Sequence, residues 1–69
     1  MEPTLAVGLG RAVIQDQLPE ATWYWLQRYP TAWNPEEDTV TWWIPERDFL
    51  FVALQHPDLP WQIQQIQGQ

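Results

Sequence analysis

Seven prolines spread along 69 residues are the feature that most restricts what this chain can fold into. They stand at Pro3, Pro19, Pro30, Pro35, Pro45, Pro57 and Pro60. Proline has no N–H to give to a helix or a sheet ladder, and its ring clashes with the turn before it. Few intervals between them exceed about a dozen residues, so long helices are excluded and the elements must be short. A chain of this length makes one domain. Leu18-Pro19 and Leu59-Pro60 lack matching flanks, so no internal repeat is present.

The intervals read as follows. Leu5 to Ile14 holds two apolar stretches around Gly8 and Gly10, which suits an extended segment with a bend there, residues 1–4 being the part expected to fray. Ala21 to Tyr29 reads two ways. Alternation sets Trp23, Trp25 and Tyr29 against Tyr24 and Leu26, whereas helical spacing groups Leu18, Thr22, Trp25, Leu26 and Tyr29. The residue types favour a strand. Asn34 to Asp38 is a turn with a run of solvated acids. Thr39 to Ile44, β-branched and aromatic, is the clearest strand. Pro45 to Asp48 is a second turn. Phe49 to Leu54, apolar throughout, reads as a buried strand, with a helix begun at Pro45 as the alternative. Asp58 and Pro60 suit the start of a C-terminal helix, with Leu59, Ile63 and Ile66 on one face, four glutamines outside it and Gly68 at its end. The fold expected is mainly β: an antiparallel meander of three to five short strands with a short C-terminal helix. The alternative is a small α+β fold in which Leu18 to Tyr29 is helical.

A domain of this size buries only ~60% of its unfolded surface and usually needs a staple or a partner. The chain has no cysteine and one histidine, His56, so neither a disulfide nor a structural zinc site can serve. Aromatic burial remains: six Trp, two Tyr and two Phe. Nine acids face three arginines and no lysine, a net charge of −6. That balance argues against nucleic acid and anionic membrane surfaces, and favours a basic partner if charge guides binding. No apolar run is long enough to cross a bilayer and the start of the chain does not read as a signal peptide, so a cytoplasmic location is expected.

Catalytic chemistry has little to work with. Serine, cysteine and lysine are all absent. Thr4, Thr22, Thr31, Thr39 and Thr41 have no base near them in sequence, and two of them read as strand residues facing away from the core. Glu36, Glu37 and Asp38 are adjacent in a turn, where water keeps them ionised, and they lack the spacing of a calcium loop. His56 has no identifiable partner, and Gly8 and Gly10 do not open a phosphate loop. No catalytic residue, metal ligand or cofactor site is expected.

The tryptophans point elsewhere. In a strand, Trp42 and Trp43 face opposite sides, so one of them belongs to the core and the other lies outside it unless a second layer covers it. Tryptophan is also the residue type most enriched at binding hot spots. Trp33, Trp42, Trp43 and Trp61 are therefore the candidate partner-binding residues, Trp23 and Trp25 the candidates for the core, and Trp61 a candidate to seat the C-terminal segment.

Residues 18–45 resemble a WW domain. Leu18-Pro19 lead to Trp23, Asn34 opens the turn before Thr39, Val40 and Thr41, Trp42 follows, and Pro45 comes after Trp43-Ile44. The resemblance implies a three-stranded meander buckled by Trp23, Asn34 and Pro45, with Trp42 exposed to grip a proline-rich peptide. The Trp23–Asn34 stretch is shorter than in that family, and Thr31 stands where a groove tyrosine would be.

The function expected is a non-catalytic interaction module or adaptor, binding a protein or peptide, basic or proline-rich, through exposed aromatics. A constitutive small subunit of a larger complex, or a homo-oligomer, is the alternative. An acidic mimic of nucleic acid ranks below both, because the acids are scattered through the turns, and an enzyme ranks last.

Overall fold

The computed structural model describes residues 3–66. Its elements are β1 (Thr4–Gly10), α1 (Arg11–Gln17), α2 (Glu20–Leu26), β2 (Thr31–Asn34), β3 (Thr39–Pro45), α3 (Glu46–Gln55) and β4 (Gln62–Ile66). The strands form one antiparallel sheet in the order β2-β3-β1-β4. β3 and β4 both run against β1, so they are parallel to each other and α3 is their crossover. With α1 and α2 taken as one interrupted crossover from β1 to β2, the connectivity is that of the ferredoxin-like, split β-α-β arrangement. The fold is a small α+β sheet-and-helix layer with four strands, within the range expected. Such a scaffold does not by itself specify a function.

Cross-strand pairing fixes which side chains share a face. Leu5 pairs with Ile44, Val7 with Trp42 and Leu9 with Val40. This face holds the core, joined from the helices by Leu18, Leu26 and Phe49. On the other face Ala6 pairs with Trp43, Gly8 with Thr41 and Gly10 with Thr39. Gly8 allows the strands to sit closely there, since a Cβ on it would lie 3.3 Å from Thr39 Cγ2. Thr39 and Thr41 thus face away from the core, as read from the sequence.

The strand expected over Thr39 to Ile44 is present, extended by one residue. So is the turn before it: Asn34 Oδ1 accepts from the backbone N–H of Glu36 (3.0 Å) and Glu37 (3.4 Å), and Asp38 takes a positive φ of 55°. Such a backbone is tolerated by Asp in turns. Arg11 closes the turn from β1's end, with its backbone N–H on Asp38 O and its Nε on Asp38 Oδ1, both 2.9 Å.

Four segments differ from expectation. The extended segment read over Leu5 to Ile14 with a bend at Gly8 and Gly10 is instead a regular strand ending at Gly10, followed by helix from Arg11. Ala21 to Tyr29 is helical over its first part, because Pro19 caps it in an extended conformation and Glu20 favours its N-terminus. Burying Thr22 and Leu26 one turn apart outweighs the β-propensity of its aromatics. Phe49 to Leu54 is also helix. Pro45 caps it, Glu46 and Asp48 occupy its first turn, and only Phe49 and Val52 are buried. The C-terminal helix is not formed: Gln62–Ile66 pairs with β1 from Thr4 to Gly8, the neighbouring edge supplying the hydrogen bonds. Gly68, expected to end that helix, lies outside the described residues. Residues 18–45 form α2, β2 and β3, so the meander that the WW resemblance implies is not formed, and Trp23 stands on a helix.

Candidate functional site

The tryptophans named from the sequence are dispersed. Trp42 has no exposed surface at all and meets Trp23 edge-to-face, ring centroids 6.0 Å apart. It is a core residue, so neither partner binding nor the proline-gripping role fits it. Its Nε1–H is buried without an acceptor among the described residues. Trp43 is half-buried on the opposite face beside Ala6. Trp61 packs edge-to-face on Phe49 at 5.3 Å and donates from Nε1 to His56 O at 3.1 Å, which fits a role in seating the segment before β4. Only Trp33, on edge strand β2, is well exposed, at 48%. The four do not form one surface.

A different set of side chains does come together. α2 and the turn after it face α3 and its C-cap residue across one groove, tied by two hydrogen bonds. Thr22 Oγ1 and His56 Nε2 are 2.8 Å apart. Tyr29 donates its hydroxyl to Asp48 Oδ2 at 2.9 Å. Between the helices runs an open groove of about 520 Å³, walled by Trp25, Tyr29 and Phe51, with Thr22, Arg28, Asp48 and Gln55 among its polar groups. Trp25 and Tyr29 meet edge-to-face at 5.2 Å, and the Arg28 guanidinium lies 5.3 Å from the Trp25 ring centroid. The groove therefore already shows one cation on an aromatic face. Burial, with the bond to Asp48 second, raises the Tyr29 pKa from 10.0 to about 12. Its hydroxyl remains a proton donor across the physiological range.

The apolar surface continues past the groove. Leu50 is 55% exposed, Phe51 64% and Leu54 79%. Positions three and four apart on a helix are neighbours, so these three form one patch on the outer side of α3. A surface helix normally confines apolar residues to its inward stripe. α3 has the stripe, in Phe49, Val52 and Ala53, and an apolar outer face as well.

Sequence reasoning missed Trp25, Tyr29, Arg28, Asp48 and the α3 face. Part of the signal was available: six apolar residues in a row cannot all face inward on a helix. Taking Phe49 to Leu54 as a doubly buried strand concealed it. The pairing of Thr22 with His56, 34 residues apart, carried no local signal.

Other chemistry is sparse. Thr22 and His56 put a hydroxyl beside an imidazole, but Thr22 is buried and His56 Nδ1 has no partner among the described residues to orient the ring. Among the described residues no three His, Asp or Glu side chains come together as a metal site, and no helix is long and apolar enough to cross a membrane. No protein-family model, curated protein or solved structure matches the chain.

Proposed function

We propose that this protein is a cytoplasmic, non-catalytic interaction module whose α2–α3 groove and outer α3 face receive an apolar, basic segment of a protein partner. The observation that carries this reading is the continuous exposed surface of Leu50, Phe51 and Leu54 beside a groove walled by Trp25 and Tyr29. Contiguous apolar surface on a small domain marks a contact site more often than a structural need. A helix-in-groove partner places its apolar side chains at helical spacing into such a cleft. The partner's charge follows from the chain's net charge of −6; within the groove itself Arg28 and Asp48 offset each other.

Selection from a random peptide display library tests this directly. Peptides recovered on the wild-type chain are expected to combine aliphatic or aromatic residues with Arg or Lys. They should lose binding to Phe51→Asp and Leu54→Asp variants whose circular dichroism matches wild type. Recovered peptides that bind these variants as well as wild type would remove the groove from the proposal.

A further inference from the structure

The two edges of the sheet are built differently. β2 is four residues long, bracketed by Pro30 and Pro35, and followed at once by Glu36, Glu37 and Asp38. Short length, proline and charge are the devices by which proteins keep an edge strand from pairing with another chain. β4 is also short, but it lacks the other two. Its five residues, Gln62-Ile63-Gln64-Gln65-Ile66, contain neither proline nor charge. They keep regular register with β1 over the whole strand, and no described strand pairs on the outer side. Gln62 to Gln65 are exposed, Ile63 at 53%. The three arginines and nine acids of the chain all precede Leu59, and of these Glu37 reaches the sheet face beside Gln62 and Gln64.

We propose that β4 is a self-association edge, and that its occupant is β4 of a second copy of this chain. The charge distribution selects this occupant. Two copies each carrying −6 repel over most of their surfaces, and a copy meets least repulsion where neither partner has a charge. A basic partner has no such reason to choose this edge. Antiparallel pairing about a two-fold axis is the closed, self-complementary form of the contact. Centring the axis on Gln64 sets Gln64 opposite its own copy, Ile63 opposite Gln65 and Gln62 opposite Ile66. The outer N–H and C=O groups of β4 then gain partners. The glutamine amides, each both donor and acceptor, can bond across the axis. Ile63 loses solvent exposure. The product is one continuous eight-stranded sheet with both helix layers on the same side, leaving both α2–α3 grooves open. A strand this short gives a weak association that depends on concentration.

The test uses the two-fold axis. Sedimentation equilibrium of the wild-type chain up to millimolar concentration should show mass rising from one copy toward two. Gln64→Glu and Gln64→Lys each place like charges opposite one another, so each variant alone should stay monomeric while still melting cooperatively. An equimolar mixture of the two should associate again, because unlike charges then face each other. A wild-type chain that stays monomeric throughout would overturn the proposal. So would either variant associating as wild type does, or a mixture no more associated than its components. Association abolished by Phe51→Asp but not by Gln64→Glu would place the contact on α3, and would overturn the edge proposal while leaving the groove as an interaction surface.

Discussion

Trp42 and Trp43 are neighbours in sequence and sit on opposite sides of one sheet. On the helix side Trp42 is surrounded by Val7, Ile44, Trp23 and the helices, and none of its surface reaches solvent. On the other side Trp43 stands beside Ala6, among glycine, threonine and glutamine, and keeps part of its surface in water. The same side chain is a keystone in one environment and a partial cover in the other. Stability in this domain comes from the layer between sheet and helices. What that layer did not take in stays at the surface: the outer face of α3, the groove beside it and the β4 edge.

Substitution of the pair gives the largest expected contrast. Trp42→Ala removes the biggest fully buried side chain and should cost about 3–5 kcal/mol. A domain this small holds roughly 3–10 kcal/mol in all, so the variant should be largely unfolded by circular dichroism. Trp43→Ala should cost about 1 kcal/mol and still melt cooperatively. Equal losses would mean that the two sides of the sheet are not distinct in the way described.

Thr22→Val keeps the volume but removes the hydroxyl that pairs with His56. A loss of about 1 kcal/mol is expected in a denaturant melt, with the α2–α3 connection weakened. No loss would mean that apolar packing alone holds the two helices together. Leu54→Gln on the outer face should change stability by no more than about 0.5 kcal/mol, while reducing the affinity of any groove-binding peptide. A large fall in stability would place Leu54 in the fold rather than on the contact surface.

The smallest effect is pH dependence through Tyr29. Its folded pKa is raised to about 12 against an ordinary value of 10.0, so between these values the folded chain holds a proton that the unfolded chain has released. Its contribution is fully present below pH 10 and is lost as pH rises toward 12. Melting temperatures of wild type and Tyr29→Phe should converge over that window, and the Tyr29 absorbance transition should fall near its upper end. Divergence instead of convergence would contradict the Tyr29–Asp48 contact.

Some of this was legible in residue types alone. Thr39 to Ile44 is β-branched and aromatic between two turns, and Asn34 to Asp38 carries its own turn chemistry, so local preference and final structure agree there. The opposite facing of Trp42 and Trp43 follows from strand geometry. Ala21 to Tyr29 and Phe49 to Leu54 carry apolar residues compatible with either period, and a short run cannot choose between them. The candidate surface shared this fate. Trp33 was named as a candidate contact residue, but Trp25, Tyr29 and Phe51 come together only because the α2 region and α3, distant in sequence, line one groove.

By itself, then, the sequence determined that the elements are short, because seven prolines interrupt it. It determined that aromatic burial must stand in for disulfides, because there is no cysteine, and that the chain carries a net charge of −6. The tertiary structure decided which apolar runs became helices, because the central strand β1 needed its core face covered while β3 and β4 filled its two edges. It also decided which tryptophan is spent in the core. Local energies left those choices within a fraction of a kcal/mol per residue, and only burial against the sheet separated them.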